Sequence, residues 1–204
     1  MDEAKNRAVS TISSKKAVRN ALREQRQGLT AELVASHSKS IFEHVIQFEP
    51  FSMAQTVALY LPIDNEVDTS FLITHLNTFG KMLCLPVVEP GRMLGFGLYS
   101  PGDPLRQGSF GISEPLSREW VDISSIDLMF LPLVGFDPNG TRLGYGGGYY
   151  DRVLSGLETG KAQPVLAGLA FELQENAQLP CAAHDVPLQY VVTERGVRSF
   201  VRDT

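Results

Sequence analysis

Cysteine is almost missing from this 204-residue chain: Cys84 and Cys181 are its only two thiols, and they stand alone. Without a Cys-x-x-Cys pair or a finger spacing, a disulfide scaffold and a structural zinc module are both excluded, and reduced thiols are expected. Histidine is equally thin, four scattered residues, so no zinc cluster is expected. Long apolar runs are lacking, and none approaches the roughly 20 residues of a membrane helix. The start, Met1-Asp2-Glu3-Ala4-Lys5-Asn6-Arg7, has acidic residues and no apolar core, so no secretory signal is visible. A cytoplasmic location is expected, with a short organellar transit segment left open. Positive charge is in deficit, 18 Lys and Arg against 23 Asp and Glu, for a net charge of -5. That argues against a general nucleic-acid binder. It leaves room for an enzyme with locally concentrated cations.

What is present is ordinary globular material with one unusual segment. Residues 1–14 read as a loose polar tail, and 15–204 as a single domain. A helix is predicted from about Lys15 to Gln27, with Val18, Ala21 and Leu22 at helical spacing. Thr30 is placed to cap a second helix bearing Leu33, Val34, Ile41, Val45 and Phe48, closed by Pro50. Strands are expected over 56–61, 82–86, 126–134 and 164–170, with a short last one at Val191-Val192. A helix is expected near Ser70 to Phe79, and another at about Gly148 to Leu157. Val87 to Trp120, rich in glycine and proline, reads as hairpin-like excursions off the main sheet. Strands alternating with helices predict a three-layer, Rossmann-like α/β fold, with a mainly parallel central sheet and helices on both faces.

The unusual segment is Asp137-Pro138-Asn139-Gly140-Thr141-Arg142-Leu143-Gly144-Tyr145-Gly146-Gly147-Gly148-Tyr149-Tyr150-Asp151. Between a strand and a helix it places four glycines, Gly144 and Gly146 to Gly148, within five positions. Such a backbone lets successive N–H groups close around an anion, and a helix N-terminus adds unpaired donors. Arg142 supplies a cation and Asp151 a hard oxygen ligand for magnesium. A polyphosphate loop is the reading, against a purely structural glycine turn. The loop is no Walker A motif, because no Gly-Lys-Ser/Thr follows. It fails the Gly-x-Gly-x-x-Gly pattern because Tyr149 takes the third glycine position.

Other candidates carry plainer alternatives. Lys15 and Arg19 share a helix face, extended by Arg23 and Arg26, and a solvated charged face is the default for such a stripe. Glu66 follows the carboxyl end of a strand, where open α/β sheets bind ligands, or it is a surface loop carboxylate. Asp185 either joins Asp151 at a metal or caps a turn, and the turn is favoured on its own merits. Ser109 lies in Gly-Ser-Phe-Gly, which is not a nucleophile elbow, so a hydrolase triad has no support.

Taken together, these segments resemble the 5-formyltetrahydrofolate cyclo-ligase (5,10-methenyltetrahydrofolate synthetase) family. The central match runs from Gly135-Phe136-Asp137 through Arg142 to Asp151. Weaker matches follow in order: Lys15 to Arg19, Tyr60 to Thr69, Phe110 to Pro115, and His184-Asp185 with Thr193-Glu194. The resemblance implies a three-layer α/β enzyme that cyclises 5-formyltetrahydrofolate to 5,10-methenyltetrahydrofolate with ATP, releasing ADP and phosphate. It implies that Lys15, Arg19, Arg142, Leu143, Gly144, Tyr145, Gly146, Gly147, Gly148, Tyr149 and Tyr150 hold ATP. It places the folate against Glu66, Leu61, Phe110 and Tyr145 to Tyr149, and Mg²⁺ on Asp151 and Asp185. Arg142, Lys15 and Tyr149 are the expected catalytic groups. Some family members have basic residues where this chain has Tyr145 and Gly147, so fewer local cations face the triphosphate here. The partners implied are the two substrates alone, acting on a monomer with no nucleic acid and no membrane. A nucleotide-binding module without folate chemistry, or an enzyme activating another amide or formyl group, are the rival readings.

Overall fold

The structure is a computed structural model; it describes residues 2–116, 119–157 and 162–201, with side chains from Ser14 onward except those of Arg92 and Phe110. Along the chain come helices α1 (Asp2–Gln27), α2 (Ala31–Val45) and α3 (Glu49–Met53), strand β1 (Thr56–Ala58) and helix α4 (Ser70–Thr78). Strands β2 (Met82–Glu89), β3 (Met93–Leu98), β4 (Leu105–Gln107), β5 (Ser113–Pro115), β6 (Leu128–Leu131), β7 (Gly135–Phe136) and β8 (Arg142–Leu143) follow. Helix α5 (Tyr149–Ser155) and strands β9 (Val165–Leu169), β10 (Tyr190–Thr193) and β11 (Gly196–Ser199) complete the order.

A seven-stranded sheet forms the centre, in the order β11-β10-β9-β6-β1-β2-β3. Its inner strands β10, β9, β6, β1 and β2 pair in parallel, and β11 and β3 are antiparallel edges. Both faces are covered, which is why the central strands are apolar without interruption. Along β6, Leu128 and Phe130 pack with Ile41, Val45, Phe51, Leu72 and Leu76 of α2, α3 and α4. The alternate residues Met129 and Leu131 pack with Leu154 of α5 and with Leu133, Phe136 and Leu188. Period-two alternation thus divides one apolar run between two cores, each buried side chain contributing roughly 1.5–3 kcal/mol. Helix α1 docks separately, Leu22 packing with Val134, Leu143 and Leu179.

Several boundaries differ from expectation. The backbone of α1 is helical from Asp2, so the segment placed in a polar tail forms its first turns. No glycine or proline interrupts 2–27, and serine or threonine costs only tenths of a kcal/mol per helical position. Pro50 does not close the second helix. That helix ends at Val45, and Pro50 occupies the first turn of α3, where its missing N–H costs nothing. The first strand is shorter than 56–61, since only Thr56–Ala58 pair as a ladder before Pro62 turns the chain away. Val87 to Trp120 is only partly an excursion. Strand β3 joins the main sheet beside β2, burying Leu94 and Phe96, while β4 and β5 make a separate ribbon. Strand β11 was not foreseen. Gly196, Val197, Arg198 and Ser199 have no buried face, so no apolar alternation marks them as a strand.

Candidate functional site

The sheet order reverses between β1 and β6: the chain steps from β1 to β2 on one side and from β6 to β9 and β10 on the other. Open α/β sheets form a crevice at such a point, beyond the carboxyl ends of the strands. A cavity of about 1140 Å³ lies there, lined by Tyr60 and Leu61 after β1, Pro132 after β6, and Pro86 and Val88 of β2. One part of its wall is charged, with Lys15, Arg19, Arg142, Asp151 and Asp185. The rest of the lining is largely apolar, with Leu61, Ile63, Leu94 and Ile112, and includes Glu66.

Helix α1 does pack beside the glycine loop. Arg19 Nε donates to the carbonyl of Gly144 at 2.7 Å, and Lys15 Nζ is bonded to Asp185 Oδ2, 170 positions away. Asp185 Oδ2 also accepts from the N–H of Ala182 at 2.7 Å, so it caps a turn as well as facing the cavity. Burial raises the Asp185 carboxyl, but the bonds from Lys15 and Ala182 outweigh it and hold the group below its ordinary value. Arg142 is 7% exposed and donates through Nη2 to Asp151 Oδ1 at 2.9 Å. Its Nε is buried without an acceptor among the described residues, the kind of donor a bound anion satisfies.

The loop itself runs from β8 to α5. Gly146 and Gly148 have φ of 97° and 65°, a left-handed region that other residues enter at a cost, and Gly148 is the N-cap of α5. Leu143 is buried beneath the loop, and Gly144 to Asp151 all line the cavity. Tyr149 and Tyr150 begin α5; the guanidinium of Arg152 lies 5.1 Å from the Tyr149 ring centre, and that of Arg142 lies 5.8 Å from the Tyr150 ring centre. Burial pushes the Tyr150 hydroxyl well up, so it stays neutral at physiological pH.

Glu66 is not a surface loop carboxylate: it is 5% exposed. Asp64 and Asn65, with φ of 57° and 56°, form a tight turn closed by Glu66 N–H to Ile63 carbonyl at 2.9 Å. Asp and Asn tolerate this conformation better than other side chains. The turn sends Glu66 inward, where Oε2 accepts from Ile63 N–H at 3.0 Å and Oε1 from the Tyr145 hydroxyl at 2.7 Å. Burial raises the Glu66 carboxyl; the bonds from Tyr145 and Ile63 and the nearby Arg26 pull the other way.

Arg26 belongs to a stripe whose default reading is a solvated face, yet it is 1% exposed. Its Nη2 donates to the Tyr145 hydroxyl at 2.6 Å, Nε to the Asp64 carbonyl at 2.9 Å and Nη1 to the Leu133 carbonyl at 3.2 Å. Its spacing held a signal, because Lys15, Arg19, Leu22 and Arg26 follow i, i+4, i+7, i+11 along one helix face. Arg23 falls off that face and pairs with Asp64 while 42% exposed. Glu114, 3% exposed and bound to Val88 N–H and Arg106, lines the cavity as well, beside Glu66, Asp151 and Asp185; no role is assigned to it from the sequence alone. Of the expected residues, Lys15, Arg19, Leu61, Glu66, Arg142 to Asp151 and Asp185 come together on one cavity. The side chain of Phe110 lies outside those described.

A doubly covered, mainly parallel sheet with a charged glycine loop over its switch point defines an α/β protein of the anionic-ligand-binding kind. The family model described as the 5-formyltetrahydrofolate cyclo-ligase family matches residues 11–194. The chain is 38% identical over 177 residues to a 5-formyltetrahydrofolate cyclo-ligase of Escherichia coli K12, covering 84% of this chain and 96% of that one. It is 37% identical over 175 residues to the enzyme of that name from Haemophilus influenzae, covering 84% and 92%. The solved structure of Aquifex aeolicus 5,10-methenyltetrahydrofolate synthetase superposes with a TM-score of 0.82 at 34% identity, covering 93% of this chain and 94% of that chain. This chain therefore belongs to the 5-formyltetrahydrofolate cyclo-ligase family.

Proposed function

We propose that the cavity brings ATP and 5-formyltetrahydrofolate together and closes the folate ring to 5,10-methenyltetrahydrofolate. The observation that carries this reading is one continuous cavity joining the cationic glycine loop to a buried carboxylate in an apolar wall. Lys15, Arg19 and Arg142, with the backbone of 143–150, hold the triphosphate. Glu66, Leu61 and the ring of Tyr149 hold the folate, with Phe110 assigned there by family resemblance.

A formamide carbonyl is a poor electrophile, and its oxygen leaves badly. The formyl oxygen attacks the γ-phosphorus of ATP, and ADP departs. N10 of the folate then attacks the activated carbon. The carbon–oxygen bond breaks, inorganic phosphate leaves with the formyl oxygen, and N10 loses its proton. The protein's share is to place the two substrates in line and to stabilise charge on the transferring phosphoryl group. Arg142 is suited to that task, because it lines the cavity and its buried Nε lacks an acceptor among the described residues. Lys15 must exchange its bond to Asp185 for phosphate.

Asp151 and Asp185 are the residues that would hold Mg²⁺, which when bound neutralises phosphate charge. Asp151 takes its bonds from Arg142 and Val186 on Oδ1, and Asp185 takes those from Lys15 and Ala182 on Oδ2. Among the described residues no three His, Cys, Asp or Glu gather as a metal site. Magnesium is held by one or two carboxylates together with substrate phosphates and water. We further assign the chain to a reducing cytoplasm as a monomer. Free Cys84 and Cys181 agree with that compartment.

The direct test mixes protein, Mg²⁺, ATP and 5-formyltetrahydrofolate and follows the absorbance of the conjugated methenyl bridge. A chromophore that needs both protein and ATP is the expected result. ATP binding by folded protein with no chromophore would overturn the folate assignment.

A further inference from the structure

We propose that Tyr145 is a positioning residue: its hydroxyl links Arg26 to Glu66 and so ties the glycine loop to the folate end of the cavity. This rests on the reading of Glu66 as a folate ligand. The geometry is a chain of two short bonds, Arg26 Nη2 to Tyr145 Oη at 2.6 Å and Tyr145 Oη to Glu66 Oε1 at 2.7 Å. The phenol accepts from one partner and donates to the other, so its single proton is committed to Glu66. Burial pushes the phenol well up, and it remains a neutral donor throughout the working pH range.

Arg26 does not reach Glu66 directly, its Nη1 lying 3.9 Å from Oε1. Nε and that same Nη1 donate to the Asp64 and Leu133 carbonyls, so the cation is fixed and the phenol, held by Nη2, bridges the gap. Tyr145 also sits between Gly144, whose carbonyl is held by Arg19, and Gly146, at φ 97°. Moving the loop therefore moves the donor on Glu66. The groups facing Glu66 are Arg26 from α1, Tyr145 from the loop, Asp64 from its own turn, Tyr60 after β1 and Tyr150 from α5. Of these only Arg26 is a cation, and its 3.9 Å separation leaves two close bonds that favour ionised Glu66, from the Tyr145 hydroxyl and, within its own turn, from Ile63 N–H.

The test is Tyr145→Phe, which keeps the ring and removes the link. Two readouts are taken: the Glu66 carboxyl titration by ¹³C NMR, assigned with Glu66→Gln, and the pH profile of kcat/KM for 5-formyltetrahydrofolate at saturating ATP. The expected result is that Glu66 titrates at higher pH in Tyr145→Phe and that the acid limb of the profile moves up with it. KM for the folate rises roughly tenfold, the loss of one hydrogen bond to a charged group, while KM for ATP changes far less. An unmoved Glu66 titration overturns the proposal, as does an unmoved acid limb, or an equal loss for both substrates. If the carboxyl shifts but wild type shows no folate-dependent ADP release, the link stands and the folate assignment fails. Should Tyr145→Phe fold poorly, Arg26→Lys withdraws the donor that orients the phenol, and the same two readouts apply.

Discussion

Arg142 lies in β8 with one donor paired to Asp151 and another, Nε, buried with no acceptor among the described residues. Replacing it by Ala removes a charge-assisted phosphate contact and leaves Asp151 with the Val186 N–H but without its cationic partner. The expected loss is about 2–4 kcal/mol of transition-state stabilisation, read as kcat/KM for ATP in steady-state assays. Arg142→Lys restores the charge but not the planar fork, so only part of the activity returns. Wild-type turnover in Arg142→Ala would remove it from the phosphate site. Glu66→Gln makes the complementary case: KM for the folate rises, and KM for ATP stays within about twofold if the two ends bind separately. A parallel loss of both would point to a collapsed cavity. Arg142 and Glu66 were readable from the sequence because each lies beside a motif or a strand end. Arg26 was not, since a charge run on a helix gives no sign of which member is buried until the helix is docked.

Helix α1 owes its place to a few polar clamps besides Leu22. Lys15 bonds Asp185 at one end, and Arg23 and Gln27 bond the Asp64 side chain at the other. Burial raises both carboxyls, but Gln27 and Arg23 at Asp64, and Lys15 and Ala182 at Asp185, hold both below their ordinary values. A carboxyl held lower in the folded than in the unfolded chain stabilises the fold above its unfolded value, about 3.9. That contribution disappears as pH falls through the folded value. Acid should therefore release α1 before the sheet. Amide exchange followed downward from pH 5 is expected to show α1 losing protection ahead of β6, and Asp185→Asn should weaken the pH dependence near Lys15. Simultaneous loss in α1 and β6 would show that the clamps do not govern docking. The existence of α1 was legible from Val18, Ala21 and Leu22, but its start was not, because serines and threonines near Ser10 do not forbid a helix. Pro50 misled for a related reason: the same residue that ends one helix fits the first turn of the next.

At the scale of the whole molecule, alternating strands and helices made the parallel centre of the sheet legible, while its edge strands, with one or no buried face, carried too little apolar pattern to be read. The cavity was beyond sequence reasoning, because it arises where strand order reverses between β1 and β6 and joins Lys15 to Asp185 across 170 positions. The result is a chain of net charge -5 in which three cations, Lys15, Arg19 and Arg142, line the cavity beside the glycine loop. Local attraction for a polyphosphate must then act inside an overall repulsive field, so salt should weaken nucleotide binding through the local pairs. Thermal unfolding measures this directly. Nucleotide at 100 times its Kd adds about 2.7 kcal/mol of stability, and for a domain of this size each kcal/mol moves Tm by about 2–4 °C. A rise of roughly 5–10 °C is expected with MgATP at low salt. It should shrink as the screening length falls from about 10 Å at 0.1 M to 3 Å at 1 M. The shift given by 5-formyltetrahydrofolate, set against an apolar wall and the buried Glu66, should depend less on salt. A nucleotide shift that persists unchanged at 1 M salt would mean that the Lys15, Arg19 and Arg142 rim is not what holds the phosphates.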